Sequence, residues 1–93
     1  MYYVYILTNK TNNVLYVGMT NDIGRRMNEH KNDVIDGFSK RYHMHKLVYF
    51  EEYNRPIEAI ELEKQLKGYV RAKKIALING LNPTWEDLSE SFI

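Results

Sequence analysis

The stretch YVGMTNDIGRRMNEH, Tyr16 to His30, decides how the rest of the chain is arranged, because its polar residues sit where packing alone would not put them. Val14 to Met19 alternates and is rich in aromatic and branched residues, the pattern of a strand. Thr20, Asn21 or Asp22 can then cap a helix whose first backbone donors would otherwise lack partners. The helix is expected to run to about Asn32. At about 100° per residue, Ile23, Met27 and Val34 fall on one stripe facing the core. Arg26 and His30 fall on the same stripe, one turn apart, while Arg25, Asn28 and Glu29 point the opposite way, where solvated residues belong. A cation on a core-facing stripe requires a reason.

Toward the N-terminus, Tyr2 to Leu7 reads as a first strand, and Thr8 to Asn13 as a polar turn whose asparagines tolerate positive φ. The two strands form a β-hairpin. The period of two puts Tyr3, Tyr5 and Leu7 on one face, and Val14, Tyr16 and Gly18 on one face of the partner strand, so Tyr5 and Tyr16 are expected to be neighbours. Gly18 leaves room for a backbone or a ligand to approach, unless it serves only as a turn residue. Toward the C-terminus, Asp33 to His43 is a surface loop and Lys46 to Tyr53 a third strand. Asn54 can cap a second helix with Pro56 in its first turn, running to about Lys67, with Gly68 as a stop or hinge. A third helix from about Val70 to Asn79 ends at Gly80, with Pro83 beyond. The order ββαβαα with a three-stranded antiparallel sheet defines an α+β fold: one domain over residues 1–85, then a short acidic tail over 86–93.

The second helix carries another anomaly. Ala59, Leu62 and Leu66, continued by Tyr69 and Val70, make an apolar arc, and Glu58, Glu61 and Gln65 take the far side, but Glu63 projects at the edge of the arc. It needs a cation or a metal. Lys67, one turn on, supplies only about 0.3–0.5 kcal/mol in such a pair, too little to account for burial.

Composition sets the outer limits. A chain of 93 residues, 44% hydrophobic and 27% charged, suits one compact domain. The absence of cysteine excludes disulfides, thiolate nucleophiles and cysteine-based metal sites, and three histidines, at 30, 43 and 45, do not amount to a dedicated cage. No apolar run approaches a membrane span and no targeting segment is visible, so a cytoplasmic protein is expected. The net charge of +1 permits a nucleic-acid partner without demanding one, the acids Glu86, Asp87 and Glu90 being gathered at one end.

Two tyrosines, an arginine, a histidine and a glutamate in this order resemble the GIY-YIG nuclease superfamily, above all its small stand-alone members, and the N-terminal nuclease domain of the bacterial excision-repair endonuclease. Tyr3-Val4-Tyr5 and Tyr16-Val17-Gly18 correspond to the two signature triplets, Arg26 to the family arginine ten positions after Tyr16, His30 to the position a turn later, and Glu63 of EAIELE to the metal-binding glutamate. KLVYFEEY, EKQLKGYVRAKK and LNPTWEDL extend the resemblance over nearly the whole chain. Tyr3 and Val17 replace the glycine and isoleucine that name the motif, and Met19 stands where the excision-repair relatives often carry lysine.

The resemblance implies a metal-dependent endonuclease, structure-selective or weakly specific, in DNA repair or processing, with DNA ahead of RNA as partner, no membrane and a monomeric state. Glu63 would hold one Mg²⁺ or Mn²⁺ ion, and Arg26 would clamp the phosphate through its rigid fork. The base falls to the pair Tyr5 and Tyr16, and orientation or proton transfer to His30. Asn82 resembles an asparagine that some relatives place near the site. Lys40, Arg41, Lys64, Lys67, Arg71, Lys73 and Lys74 would supply sequence-independent attraction to phosphates. The alternative is a nucleic-acid-binding module that keeps the fold without cutting.

Overall fold

The computed structural model describes residues 1–34 and 37–92, the Ser39 side chain excepted. Strands β1 (Tyr2–Thr8), β2 (Leu15–Thr20) and β3 (Lys46–Tyr53) form an antiparallel sheet in the order β2-β1-β3. The central place of β1 accounts for its unbroken apolar run, since a strand covered on both faces has no polar side: Val4, Tyr5, Ile6 and Leu7 are all buried. The β1–β2 turn is closed by its own side chains. Thr8 Oγ1 donates to Val14 O at 2.7 Å, Asn9 Oδ1 accepts from Asn13 N at 3.0 Å, and Asn12 takes φ 60°.

Two apolar layers sandwich the sheet. Val4, Ile6 and Val17 pack with Ala59 and Leu66 of α3 (Pro56–Gly68) and Ile78 of α4 (Arg71–Leu81). Tyr5 and Leu7 face the other way, against Ile23 and Met27 of α1 (Ile23–Lys31) and against Met44 and Leu47. The β1–β3 register steps between Ile6 and Leu7, which lets the consecutive Val48 and Tyr49 both enter the first layer.

The expected order ββαβαα stands, with corrections in detail. Of the three candidate caps, Asp22 accepts from Arg25 N at 3.1 Å, and Thr20 Oγ1 supports it by accepting from Asp22 N at 3.1 Å. Val34 does not continue the core stripe: α1 stops at Lys31, Asp33 turns the chain at φ 52°, and Val34 is 67% exposed. The expected loop over 33–43 contains a four-residue helix, α2 (Phe38–Arg41), entered through Gly37; its residues 35 and 36 lie outside the described residues. One turn is too short to show a helical period. Pro56 opens α3 as expected, but Arg55, not Asn54, occupies the cap position, with no side-chain bond. Val70 leaves the apolar arc, 72% exposed at the N-cap of α4. That helix runs through Gly80 to Leu81, because a glycine in an open position costs only about 1 kcal/mol and need not end a helix.

The segment expected as an acidic tail is seated on the α1 face. Asp87 Oδ1 accepts from Leu47 N at 3.1 Å and Ser89 N at 3.0 Å, and its Oδ2 accepts from Lys31 Nζ at 2.6 Å. Leu88–Ser91 forms a 3₁₀ turn, and Phe92 lies edge-on to Phe50 and Tyr3, with centroids at 5.1 and 6.0 Å. Buried Asn82 donates to Val48 O at 3.2 Å and Glu86 O at 2.8 Å, tying the end of α4 to β3.

Candidate active site

Tyr5 leaves the central strand and lies across Gly18, its register partner on the edge strand. A Cβ at Gly18 would stand 2.4 Å from Tyr5 Cζ and Oη, so the ring occupies space that only glycine leaves open. His30, in the last turn of α1, meets the hydroxyl, with Nε2 3.1 Å from Tyr5 Oη. Tyr16 pairs with Leu7 and is therefore diagonal to Tyr5, with centroids 6.5 Å apart. Its ring is also edge-on to His30 at 5.7 Å. Three of the five expected residues thus form one cluster of rings.

Arg26 stands a turn before His30 with its side chain 32% exposed. Glu29 Oε1 is 3.6 Å from its Nε, an ion pair too long for a hydrogen bond, and that buried Nε has no hydrogen-bond partner among the described residues. Leaving such a donor unmatched costs about 1–3 kcal/mol, a penalty that packing does not explain.

Glu63 lies on α3, across the sheet from α1, so the layers alone do not bring all five residues onto one concave surface. The Arg26 and Glu63 charges both act on the Tyr5 hydroxyl, in opposite senses. Burial drives its pKa far above the ordinary tyrosine value; Tyr16, Glu63 and Glu29 push it further, and Arg26 opposes them. His30 is displaced in the other sense: burial, then the Arg26 charge, lowers its pKa to about 4. At neutral pH the site therefore holds a protonated Tyr5 and a neutral imidazole.

The donor set fits a small hard cation. The Glu63 side chain is 24% exposed and its ion-pair partner, Lys67 Nζ, is 3.5 Å away, so the carboxylate keeps access to the solvent that would complete the shell of a Mg²⁺ or Mn²⁺ ion. A second set was not anticipated: Asp33, His43 and His45 bring donor atoms within 4.8 Å of one another just after α1. Its nitrogen-rich composition suits a transition ion better than Mg²⁺. The spacing of Asp33 from the two histidines conceals it, because the chain closes the gap through left-handed Asp33 and His43.

The seven expected basic residues lie on three helices, α2, α3 and α4. Arg71 and Lys74 line a shallow groove beside the β1–β2 turn, and Arg71 Nη2 donates to Asn12 O at 3.4 Å. Lys64 is exposed on α3, Lys67 pairs with Glu63, and Lys73 sits 4.1 Å over the Tyr69 ring. Lys40 and Arg41 belong to α2. Sequence reasoning missed a larger basic groove of about 510 Å³, lined by Lys10, Lys31 and Lys46 with His43, His45 and Asp87. Only the folded chain brings those lysines together.

A tyrosine pair on a hairpin, followed by an arginine on the next helix, is an arrangement of the GIY-YIG nuclease superfamily. Residues 1–76 match the family model described as the GIY-YIG catalytic domain, and the chain belongs to that family. Among individual proteins it is similar to small single-domain UPF0213 proteins. One from Clostridium perfringens is 37% identical over 79 residues, covering 85% of this chain and 84% of the relative. Another from Staphylococcus saprophyticus is 33% identical over 78 residues, covering 84% and 94%. The solution NMR structure of a UPF0213 protein from Bacillus halodurans superposes with a TM-score of 0.60 at 27% identity, covering 97% of this chain and 96% of that one. Among the described residues no helix is long and apolar enough to cross a membrane.

Proposed function

We propose that this protein is a metal-dependent endonuclease that hydrolyses phosphodiester bonds in nucleic acid, DNA ahead of RNA, as a cytoplasmic monomer. The observation that carries the reading is the ring cluster of Tyr5, Tyr16 and His30, with Tyr5 Oη 3.1 Å from His30 Nε2, one helical turn after an Arg26 Nε that has no hydrogen-bond partner among the described residues. Arg26, with its unmatched Nε, binds the phosphate and opposes the charge that develops on it. Glu63 holds one Mg²⁺ or Mn²⁺, which supplies Lewis-acid polarisation when bound. Tyr5 keeps its proton and fixes His30, so the half-buried Tyr16 is the tyrosine left to act as base, taking the proton of the attacking water as a phenolate after releasing its own proton to solvent. Among the described residues no helix is dedicated to reading base edges, which fits structure-selective or weakly specific cutting in DNA repair or processing.

The test is Mg²⁺- or Mn²⁺-dependent cleavage of duplex, single-stranded and branched DNA and of structured RNA. Glu63→Gln should abolish it and Arg26→Ala should lower turnover by about 10²-fold or more, with thermal unfolding unchanged. The second reading, a binding module, is favoured by one observation: Tyr5 and His30 are each only 1% exposed, and desolvation holds both in forms that accept protons poorly. Binding without cleavage under either metal, unaltered by Glu63→Gln, would establish it instead.

A further inference from the structure

The aromatic surface of α2 is left unused by the hydrolytic assignment. Phe38 is 46% exposed and Tyr42 39%; they stand one turn apart, with centroids separated by 4.7 Å. Phe38 also stacks on Tyr16 at 6.1 Å, with the planes inclined by only 20°. Tyr16 in turn touches Tyr5 and His30, so rings run in contact from the buried pair out to solvent. Exposed Arg41 places its guanidinium 5.7 Å from the Tyr42 ring, and exposed Lys40 lies beside it in sequence. Gly37 sets this row up. Its φ of 99° and ψ of −143° are backbone angles that a residue with a Cβ adopts only under strain, and they start α2 with Phe38 over Tyr16.

A contiguous exposed aromatic patch rimmed by cations is a binding surface. Its ligand must offer flat π faces and negative charge together, as a nucleotide does: the base stacks on the ring and the phosphates run past the cations. Bases inside a continuous duplex have both faces covered by their neighbours. We propose that Phe38 and Tyr42 form a stacking platform for an unpaired nucleobase beside the phosphate to be cleaved, so that the substrate class is nucleic acid with unpaired nucleotides, such as single strands, flaps or splayed junctions. The position of the platform relative to cleavage rests on the hydrolytic reading above; the stacking does not.

The experiment uses the whole protein, a single-stranded 2-aminopurine oligonucleotide and the fully paired duplex of the same sequence, each titrated with and without Mg²⁺ and Mn²⁺. The single strand should bind more tightly than the duplex and its emission should be quenched on binding. Phe38→Ala should weaken single-strand binding by about 5- to 150-fold and remove the quenching, with duplex binding and thermal unfolding unchanged. Phe38→Tyr should restore both; Phe38→Leu, apolar but without a π face, should restore neither. Gly37→Ala, which leaves every ring in place chemically, should reproduce part of the loss. Equal binding of the two forms, or a Phe38→Leu protein that behaves as wild type, overturns the platform. So does a Phe38→Ala protein that binds nucleic acid normally but loses a self-association seen by ultracentrifugation, which would make the patch a contact between copies. Intact Phe38-dependent stacking without cleavage by either metal would sink the hydrolytic reading alone. Glu63-dependent cleavage indifferent to Phe38 would sink the platform alone.

Discussion

Under α3 and α4 the sheet buries Val4, Ile6, Val17, Val48, Ala59, Leu66 and Ile78, with Tyr49 the one titratable side chain among the buried residues of that cluster. Under α1 it buries Tyr5 against His30, beside an arginine whose Nε has no hydrogen-bond partner among the described residues. The first layer stabilises through area removed from water, whereas the second contains desolvated polar groups that cost free energy unless something binds them. Substitutions should divide along the same line. Leu66, fully buried, should show the largest effect on stability: Leu66→Ala should lose about 2–5 kcal/mol in urea unfolding, with cleavage per folded molecule unchanged. Equal losses of activity and stability from that substitution would mean that the layers are not separable.

The next effect belongs to the α1 face and depends on pH. His30 has a pKa near 4 in the folded protein and an ordinary value of 6.5. The unfolded chain therefore takes up a proton between those values that the folded chain refuses. The stability contributed by neutral His30 is complete above about pH 6.5 and is lost as pH falls through 4, up to about 3 kcal/mol. His30→Gln, which cannot titrate, should flatten the stability profile in that window, and Leu66→Ala should leave its slope alone. Urea midpoints collected from pH 7 to pH 4 on the three proteins decide it. Parallel curves for wild type and His30→Gln would show that burial of the imidazole is not what makes this face acid-sensitive.

The contrast between the layers was partly legible in the chain itself. The unbroken apolar run of Tyr2 to Leu7 and the alternation of Val14 to Met19 locate the hairpin, and the wheel position of His30 on the Met27 stripe marks it as buried, because such patterns follow the period and burial of each element. Glu63 stood out for the same reason, as an acid at the margin of an apolar arc. What the periods could not carry was relation between elements: that α1 and α3 take opposite faces, that Tyr5 crosses to Gly18 while Tyr16 sits diagonal to it, and that Asp33 and His43 turn left-handed to bring three donors together. Phe38 gives no signal in the sequence because a single helical turn has no repeat, and Val34 leaves the stripe that its spacing predicts because a helix end is set by one residue's φ. The acidic end of the chain reads as a short tail by composition, yet Asp87 is fixed by partners 40 and 56 residues away in sequence.

Asp87 gives the smallest effect, and it distinguishes closure of the α1 face from its titration. Burial raises the carboxyl pKa, but Lys31, Ser89 and the Leu47 backbone amide outweigh that and hold it below the ordinary value. Asp87→Asn keeps an acceptor oxygen for the Leu47 and Ser89 amides and removes the charge opposite Lys31. Both partners are between a quarter and a third exposed, so solvent screens the pair and the expected loss is about 1 kcal/mol at pH 7. A depressed carboxyl contributes stability that is present above its unfolded pKa, about 3.9, and lost as pH falls through the lower folded value. The Asp87→Asn and wild-type curves should therefore run parallel from pH 7 to about 4 and converge only below it. His30→Gln should differ from wild type in slope above pH 4. The two windows adjoin without overlapping, so the pH at which each variant's curve departs identifies which group was responsible. Convergence of the Asp87→Asn curve already at pH 5 to 6 would place that loss on a histidine and not on the Lys31 pair.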